Sequence, residues 1–288
     1  EYCSSETDQI LEDEKVNCVF IATRHNLHSE LICKALKAEE AVFVEKPLAT
    51  SEGELEEIKR TLEQTQGSIL VGFNRRFSPA AQLLKKHFQD RTTPLVMTYR
   101  VNAGLIPAEH WIHDPEEGGG RIIGEVCHFV DLLSFFADSE SSSVSAIAVD
   151  DSRKTPLTHD NLVVSLKFKD GSVGSIIYTS SGDTSYSKER IEIFGKNSVG
   201  VIDNFQRTIV VTNGKELRFK HSGSGKGHKE ELQAFIEALK QEKPMPISPK
   251  EMINTTLTTF KIIESLQTNS SADTELFALV KESFEKVY

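Results

Sequence analysis

The first quarter of the sequence alternates short apolar runs with amphipathic segments, and this alternation restricts the fold more than any other feature. Three apolar runs predict buried strands: 17–23, 41–44 and 68–72. Between them, the segments 27–37 and 51–64 have helical periodicity, and Ser51 with Glu54 forms a potential capping box. The order strand, helix, strand, helix, strand predicts right-handed crossovers and therefore a parallel sheet.

The pattern changes after Phe77. Between Val144 and Phe219 one short strand follows another, with turn residues between them, and this predicts a large, mainly antiparallel sheet. Helices are expected around this sheet, over approximately these ranges: 79–88, 122–137, 228–240, 249–266 and 274–287. We therefore expect an α/β unit over 1–76 and an α+β unit with an open sheet over 77–288.

Composition excludes several classes of protein. With a net charge of −10 over 288 residues, the chain lacks the excess of Lys and Arg that nucleic-acid binding requires. No apolar stretch reaches the roughly 18 residues of a membrane helix. The four cysteines are scattered, without metal-ligand spacing, which favours a reducing cytoplasm and no metal centre. His110 and His113 are three residues apart, but their loop gives little support to a metal site.

Polar residues follow each of the three predicted parallel strands. These segments are 21–28, 45–47 and 72–77, and a fourth polar segment, 118–131, begins with Gly118-Gly-Gly120. Because ligands of open α/β sheets bind at the carboxyl ends of the strands, we expect the first three segments to border one crevice. Gly223–His228 looks like a phosphate-binding loop, but it follows an antiparallel strand and is interpreted as a connector.

Lys46 lies between Glu45 and Pro47, directly after an apolar strand. The proline restricts the backbone of Lys46, so its ammonium could be aimed at a substrate hydroxyl and polarise it. An ordinary surface lysine before a turn proline explains these residues equally well.

His128 lies on the helix that follows the three glycines. Glu125 and Asp131 are three residues to either side of it, so a carboxylate beside the imidazole could raise its basicity for general base catalysis. A surface histidine with acidic neighbours is the alternative. The glycines favour the functional interpretation, because they allow close approach of another chain segment or a ligand.

Two further groups leave alternatives open. Arg75 and Arg76 could bind an anionic group of a substrate, or they could pair with acidic residues across the boundary between the two units. Trp111 could form the wall of a sugar pocket, or it could simply pack within its loop.

Taken in order, these motifs resemble those of the glucose–fructose oxidoreductase/inositol dehydrogenase/MocA family, in the branch found as the C-terminal half of two-domain oxidoreductases. The ordered set is Ala-Thr-x-x-x-x-x-His, Glu-Lys-Pro, Gly-Phe-Asn-Arg-Arg-Phe, Gly-Gly-Gly…His-x-x-Asp and Lys-Gly-His-Lys-Glu-Glu-Leu, and it spans nearly the whole chain. The resemblance implies a Rossmann domain followed by an α+β domain. It also implies an enzyme that transfers hydride between NAD or NADP and a secondary alcohol or carbonyl of a sugar, inositol or nucleotide-sugar.

The resemblance also assigns roles to residues. Lys46 and His128 become the catalytic lysine and histidine, with Glu125 as a further catalytic candidate. The cofactor would be bordered by a set of strand-end residues: Thr23, Asn26, His28, Glu45, Pro47 and Asn74. Substrate contacts would come from another set: Arg75, Arg76, Trp111 and Asp131. The antiparallel sheet would pair two or four copies of the chain into a homo-dimer or homo-tetramer.

The sequence departs from the family pattern in two places. Gly124 stands where the family commonly has Asp, and Glu125 is one residue further on, which turns a helical side chain by about 100°. The Gly-x-Gly-x-x-Gly turn is absent, so a chain that starts at Glu1 is expected to have a truncated Rossmann sheet and to bind dinucleotide poorly. These departures motivate a second hypothesis, an inactive or truncated homologue that serves as a binding or oligomerisation module.

Overall fold

The three apolar runs form a parallel sheet, as their alternation with helical segments predicts. In the computed structural model, which describes residues 3–150, 159–223 and 225–274, this sheet has the strand order β1 (Cys18–Ile21), β2 (Ala41–Val44), β3 (Ile69–Val71). All three strands run in the same direction. Every residue of β2 is buried, so the strand delivers the polar segment 45–47 directly from the core to one edge of the sheet.

Two helices connect these strands, after a short helix at the start of the chain. They are α2 (His28–Lys37) and α3 (Glu52–Gln64), and the short helix is α1 (Thr7–Leu11). Ser51 caps α3, since its Oγ accepts a hydrogen bond from the backbone N of Glu54 at 3.3 Å. The expected capping box forms only in part, because the Glu54 carboxylate binds the backbone N and the hydroxyl of Thr50 instead.

The second sheet has nine strands in the described part of the chain. The strand order is β11-β10-β9-β8-β4-β7-β6-β5-β12, and only the β4–β7 pair is parallel. The strands are β4 (Val96–Asn102), β5 (Ser141–Ala148), β6 (Asn161–Phe168), β7 (Val173–Thr179), β8 (Glu189–Gly195), β9 (Ser198–Asp203), β10 (Arg207–Thr212), β11 (Lys215–Lys220) and β12 (Ala272–Asp273). The expectation of a large, mainly antiparallel sheet is confirmed.

Helices cover one face of this sheet and return to the first sheet. They are α4 (Pro79–Phe88), α5 (Cys127–Ala137), α6 (His228–Lys240) and α7 (Pro249–Thr268). Phe235 of α6 is fully buried, and its ring lies 5.6 Å from Phe43 of β2 and 5.7 Å from Phe20 of β1. The two sheets therefore share one continuous apolar core.

The helix expected over 122–137 is two segments. The range is helical as predicted, but Ile122–Val126 is π-helical and α5 begins only at Cys127. Most of the helix expected over 274–287 lies outside the described residues. Among the helices that the structure describes, none combines the length and the apolar character needed to cross a membrane.

Candidate active site

Lys46 leaves the carboxyl end of β2 and reaches the π-helical segment of the second half. Its Nζ donates a hydrogen bond to the carbonyl oxygen of Gly124 at 2.9 Å, and the Lys46–Pro47 peptide is cis. π-Helical turns within helices are frequent at functional sites. The ammonium is thus fixed at the junction of the two halves, half-buried, with further donor hydrogens for a ligand.

His128, the second residue of α5, lies in the same region. Its side chain is buried, and Nδ1 has no hydrogen-bond partner within the described part of the chain. Burial, followed by the charges of Arg75 and Lys46, lowers the pKa of His128 well below its usual range, so the ring is neutral near pH 7. Gly124, whose carbonyl oxygen binds the Lys46 ammonium, is four residues before His128, so the two groups belong to the same region of the molecule.

Neither expected carboxylate assists His128, and that expectation was wrong. Glu125 accepts hydrogen bonds from Arg121 at 3.0 Å and from the hydroxyl of Tyr178 at 2.9 Å. Asp131 is buried and binds Arg76 through both oxygens, at 2.6 and 3.0 Å. The π-helical segment changes the spacing between Glu125 and His128, whereas Asp131 keeps its α-helical spacing from His128 but is held by Arg76 instead.

Arg75 and Arg76 are buried in ion pairs, so their assignment to the substrate was wrong. Arg75 binds both oxygens of Glu189, at 2.8 and 3.1 Å, and Lys226 binds the same carboxylate at 2.6 Å. Burial raises the pKa of Glu189, but the charges of Arg75 and Lys226 outweigh this effect and hold that pKa at about 2. Arg76 binds Asp131, which likewise removes this aspartate from the candidate substrate contacts. Both arginines instead follow the alternative interpretation, in which they pair with acidic residues across the boundary between the two units.

His28 and Asn74 hold the backbone rather than line an open site. His28 is fully buried, with Nδ1 at 2.7 Å from the carbonyl oxygen of Pro47 and Nε2 at 3.3 Å from that of Thr23. Asn74 is buried and donates to the carbonyl oxygen of Lys226 at 2.8 Å. Since both side chains are enclosed by protein, direct contact with a cofactor is not available to them. Pro47 is buried as well.

Thr23, Asn26 and Glu45 lie where the strand-end argument places them. Thr23 and Asn26 are exposed beyond the carboxyl end of β1, and Glu45 is half-buried at the end of β2. Glu45 packs against Gly72, where an added Cβ would lie 3.2 Å from its Oε2. Exposed hydroxyl and amide groups at this edge suit the hydrogen-bonding groups of a dinucleotide's ribose and nicotinamide.

The loop before the three glycines covers the end of β1. The Arg24 guanidinium lies 4.2 Å from the centre of the Trp111 ring and forms a 3.0 Å ion pair with Glu117. Trp111 is half-buried and meets the His25 ring edge-on at 4.7 Å. An added Cβ on Gly118 would lie 2.5 Å from the Cα of Ile112. The glycine run therefore allows close approach of this loop.

Sequence reasoning missed His25. The His25 ring is buried, and its Nδ1 lies 2.8 Å from the carbonyl oxygen of Gly118. The ring also lies against Gly124, the residue whose carbonyl oxygen binds Lys46, so it is beside this candidate catalytic group. The sequence contained one signal, the glycine at 124, but only the structure shows which side chain lies against it. In the described ranges, no three His, Cys, Asp or Glu side chains are grouped to hold a metal ion.

The parallel unit and its strand-end lysine, joined to a mainly antiparallel sheet and a helix that carries a histidine, define a two-part nicotinamide-linked oxidoreductase. A family model described as "Oxidoreductase family, NAD-binding Rossmann fold" matches residues 1–73. A second model, "Oxidoreductase family, C-terminal alpha/beta domain", matches residues 93–274. The chain belongs to the glucose–fructose oxidoreductase/inositol dehydrogenase/MocA family of oxidoreductases. The expectation of a nicotinamide dinucleotide as cofactor is confirmed by the NAD-binding Rossmann fold of the family model.

Curated relatives cover most of the chain. Myo-inositol 2-dehydrogenase of Thermotoga maritima is 28% identical over 256 residues, which are 84% of this chain and 75% of that protein. Scyllo-inositol 2-dehydrogenase (NAD(+)) of Bacillus subtilis is 26% identical over 253 residues, 83% of this chain and 72% of that protein. Among solved structures, levoglucosan dehydrogenase in complex with NADH and levoglucosan has a TM-score of 0.84 at 21% identity, covering 95% of this chain and 84% of that one. This last likeness shows the fold.

Proposed function

We propose that the enzyme oxidises a secondary alcohol of a cyclic polyol or anhydro-sugar with NAD⁺, and reduces the ketone in the reverse direction. The observation that carries this proposal is the 2.9 Å hydrogen bond from the Lys46 ammonium to the carbonyl oxygen of Gly124, four residues before the buried, neutral imidazole of His128. The substrate class rests on relatives that are named as inositol and levoglucosan dehydrogenases.

Each side chain has a distinct task in this proposal. The Lys46 ammonium keeps one hydrogen bond to Gly124 and donates another to the reacting oxygen, which stabilises the negative charge that develops there. The neutral His128 ring takes the hydroxyl proton. Bound NAD⁺ supplies the hydride acceptor. Thr23, Asn26 and Glu45 would hold the nicotinamide end, and Trp111 would bound the substrate space.

The assay is NADH formation with myo-inositol, scyllo-inositol and levoglucosan, at an NAD⁺ concentration high enough to saturate even a weak dinucleotide site. We expect turnover with at least one of them, lowered by about 10² to 10⁴ in His128→Phe because the proton acceptor is lost. His87→Phe, which changes a histidine of α4, is the matched control and should keep the parent rate. Absence of NADH with every polyol would contradict the proposal and favour the binding or oligomerisation module.

We further propose that copies of the chain pair through the face of the large sheet that the described residues leave uncovered, as a homo-dimer or homo-tetramer. Ile147, Val163 and Ile177 are adjacent on three neighbouring strands, and they are 76%, 46% and 43% exposed. Contiguous apolar surface of this kind is typical of protein interfaces. The free thiols of Cys18, Cys33 and Cys127 favour the reducing cytoplasm as the location.

A further inference from the structure

His25 has one committed ring nitrogen and one that is free. Nδ1 lies 2.8 Å from the carbonyl oxygen of Gly118, and this geometry requires the proton on Nδ1. Burial, with a smaller contribution from the charge of Lys46, lowers the pKa of His25 to about 4, so the ring is neutral near pH 7. Nε2 therefore carries a lone pair, and no group within the described ranges donates a hydrogen bond to it.

Gly124 holds this ring next to the lysine. An added Cβ on Gly124 would lie 2.9 Å from Cε1 of His25, and Cε1 is bonded to Nε2. The carbonyl oxygen of the same glycine accepts the hydrogen bond of Lys46 Nζ at 2.9 Å. The imidazole and the ammonium thus converge on one residue, from β1 and β2 respectively, and a side chain at position 124 would push the imidazole away.

We propose that Nε2 of His25 accepts a hydrogen bond from the substrate hydroxyl next to the one that is oxidised. His25 is then a substrate-positioning residue, and this inference rests on the proposed function. A polyol ring carries hydroxyls on neighbouring carbons, so a donor on Lys46 and an acceptor on His25 would bind two of them together. A simple secondary alcohol would leave the His25 lone pair without a partner, at a cost that selects against it.

A purely structural role is the competing explanation, because the hydrogen bond to Gly118 also fastens the loop to β1. Two substitutions separate the roles. The Asn amide can reproduce the Nδ1 donor but not the Nε2 acceptor, so His25→Asn tests the acceptor alone. The longer His25→Gln brings an amide oxygen towards the position of Nε2. His87→Asn is the matched control.

The experiment is titration of the ¹⁵N-histidine-labelled chain with myo-inositol in the presence of NADH, followed by NMR. We expect the Nε2 resonance of His25 to move as the polyol binds. The dissociation constant should rise about tenfold in His25→Asn, recover in part in His25→Gln and stay unchanged in His87→Asn.

The outcomes separate this inference from the proposed function. Lys46→Met provides the reference, because the proposed function requires it to weaken polyol binding. If binding depends on Lys46 while the Nε2 resonance and the affinity of His25→Asn stay at their wild-type values, only the role of His25 is overturned. If the wild-type chain binds no polyol, both fail.

Discussion

Gly124 is the residue on which the packing around Lys46 most depends. Its carbonyl oxygen holds the ammonium, and the space beside its Cα is filled by His25 and Ile112, at 2.9 and 2.8 Å from the position of an added Cβ. Where the family pattern has Asp, this chain has Gly124, and the buried imidazole of His25 lies against it. The two positions are coupled, since the imidazole and a side chain at 124 would compete for one space.

That coupling predicts a specific double-mutant result. Gly124→Ala should destabilise the protein by about 1–3 kcal/mol, because the buried imidazole has to move. The same substitution should cost about 1 kcal/mol less in the His25→Ala background, where the space is open. Urea denaturation of the four proteins measures both values. Equal costs in the two backgrounds would show that His25 does not occupy the space.

The structure separates the residues that sequence could place from those it could not. Lys46 could be predicted because its position follows from local order, a buried strand and then a proline. Arg75 and Asn74 could not, because their partners lie far away along the chain; Glu189, which pairs with Arg75, is 114 residues away. A polar residue at a strand end is equally consistent with an open cleft and with a buried ion pair, and only the fold decides between them.

At the scale of elements, α6 shows how the second half completes the first. Its pattern predicts a helix over 228–240, and the structure confirms the range. The pattern does not show that Phe235 packs against β1 and β2, because periodicity gives the apolar face of a helix but not its partner. The π-helical turn before α5 was missed as well, because apolar periodicity indicates a helix but does not distinguish a π-helical turn from an α-helical one.

Glu231 on the first turn of α6 gives an element-scale prediction. Burial, with the carboxylates of Glu45 and Asp131, raises the pKa of Glu231 to about 9, against 4.5 as its ordinary value. The folded state thus holds a proton that the unfolded state releases, so the stability from this group is complete below pH 4.5 and is lost as pH rises towards 9. Glu231→Gln, which does not titrate, should remove this loss.

We expect Glu231→Gln to raise the free energy of unfolding by on the order of 3 kcal/mol near pH 8 and by less than about 1 kcal/mol near pH 5. Urea denaturation at the two pH values measures the difference. Glu237→Gln, an exposed glutamate of the same helix, is the control and should show no such trend. A gain that does not grow with pH would contradict the assignment of a protonated Glu231.

At the scale of the whole molecule, the described residues place helices on one face of the large sheet and leave its other face uncovered. The alternation of apolar and polar residues along each strand predicts which side chains lie on each face. Residues that pair in register on neighbouring strands lie on the same face. The exposed row Ile147, Val163 and Ile177 continues into Arg100 of β4, which pairs with Ile177. The apolar part of the uncovered face therefore lies towards the β5 edge of the sheet.

We expect Ile177→Lys to dissociate the oligomer, because two copies would bring unpaired ammonium groups into an apolar interface. Sedimentation velocity of wild type and variant measures the change in mass. Leu217→Lys, an equally exposed apolar position on β11, is the matched control and should leave the oligomer intact. A wild-type chain that sediments only as monomer would contradict the proposed pairing.

The central claim is that Lys46 and His128 act together on one reacting alcohol. The most direct test is a double-mutant cycle on kcat/KM for polyol oxidation, with Lys46→Met, His128→Phe and the double variant. Each single variant should lose about 10² to 10⁴ of activity, and the double variant should lose little more than the worse single one, because residues that act as a unit are not additive. Losses that multiply, or single variants near the wild-type rate, would contradict the account.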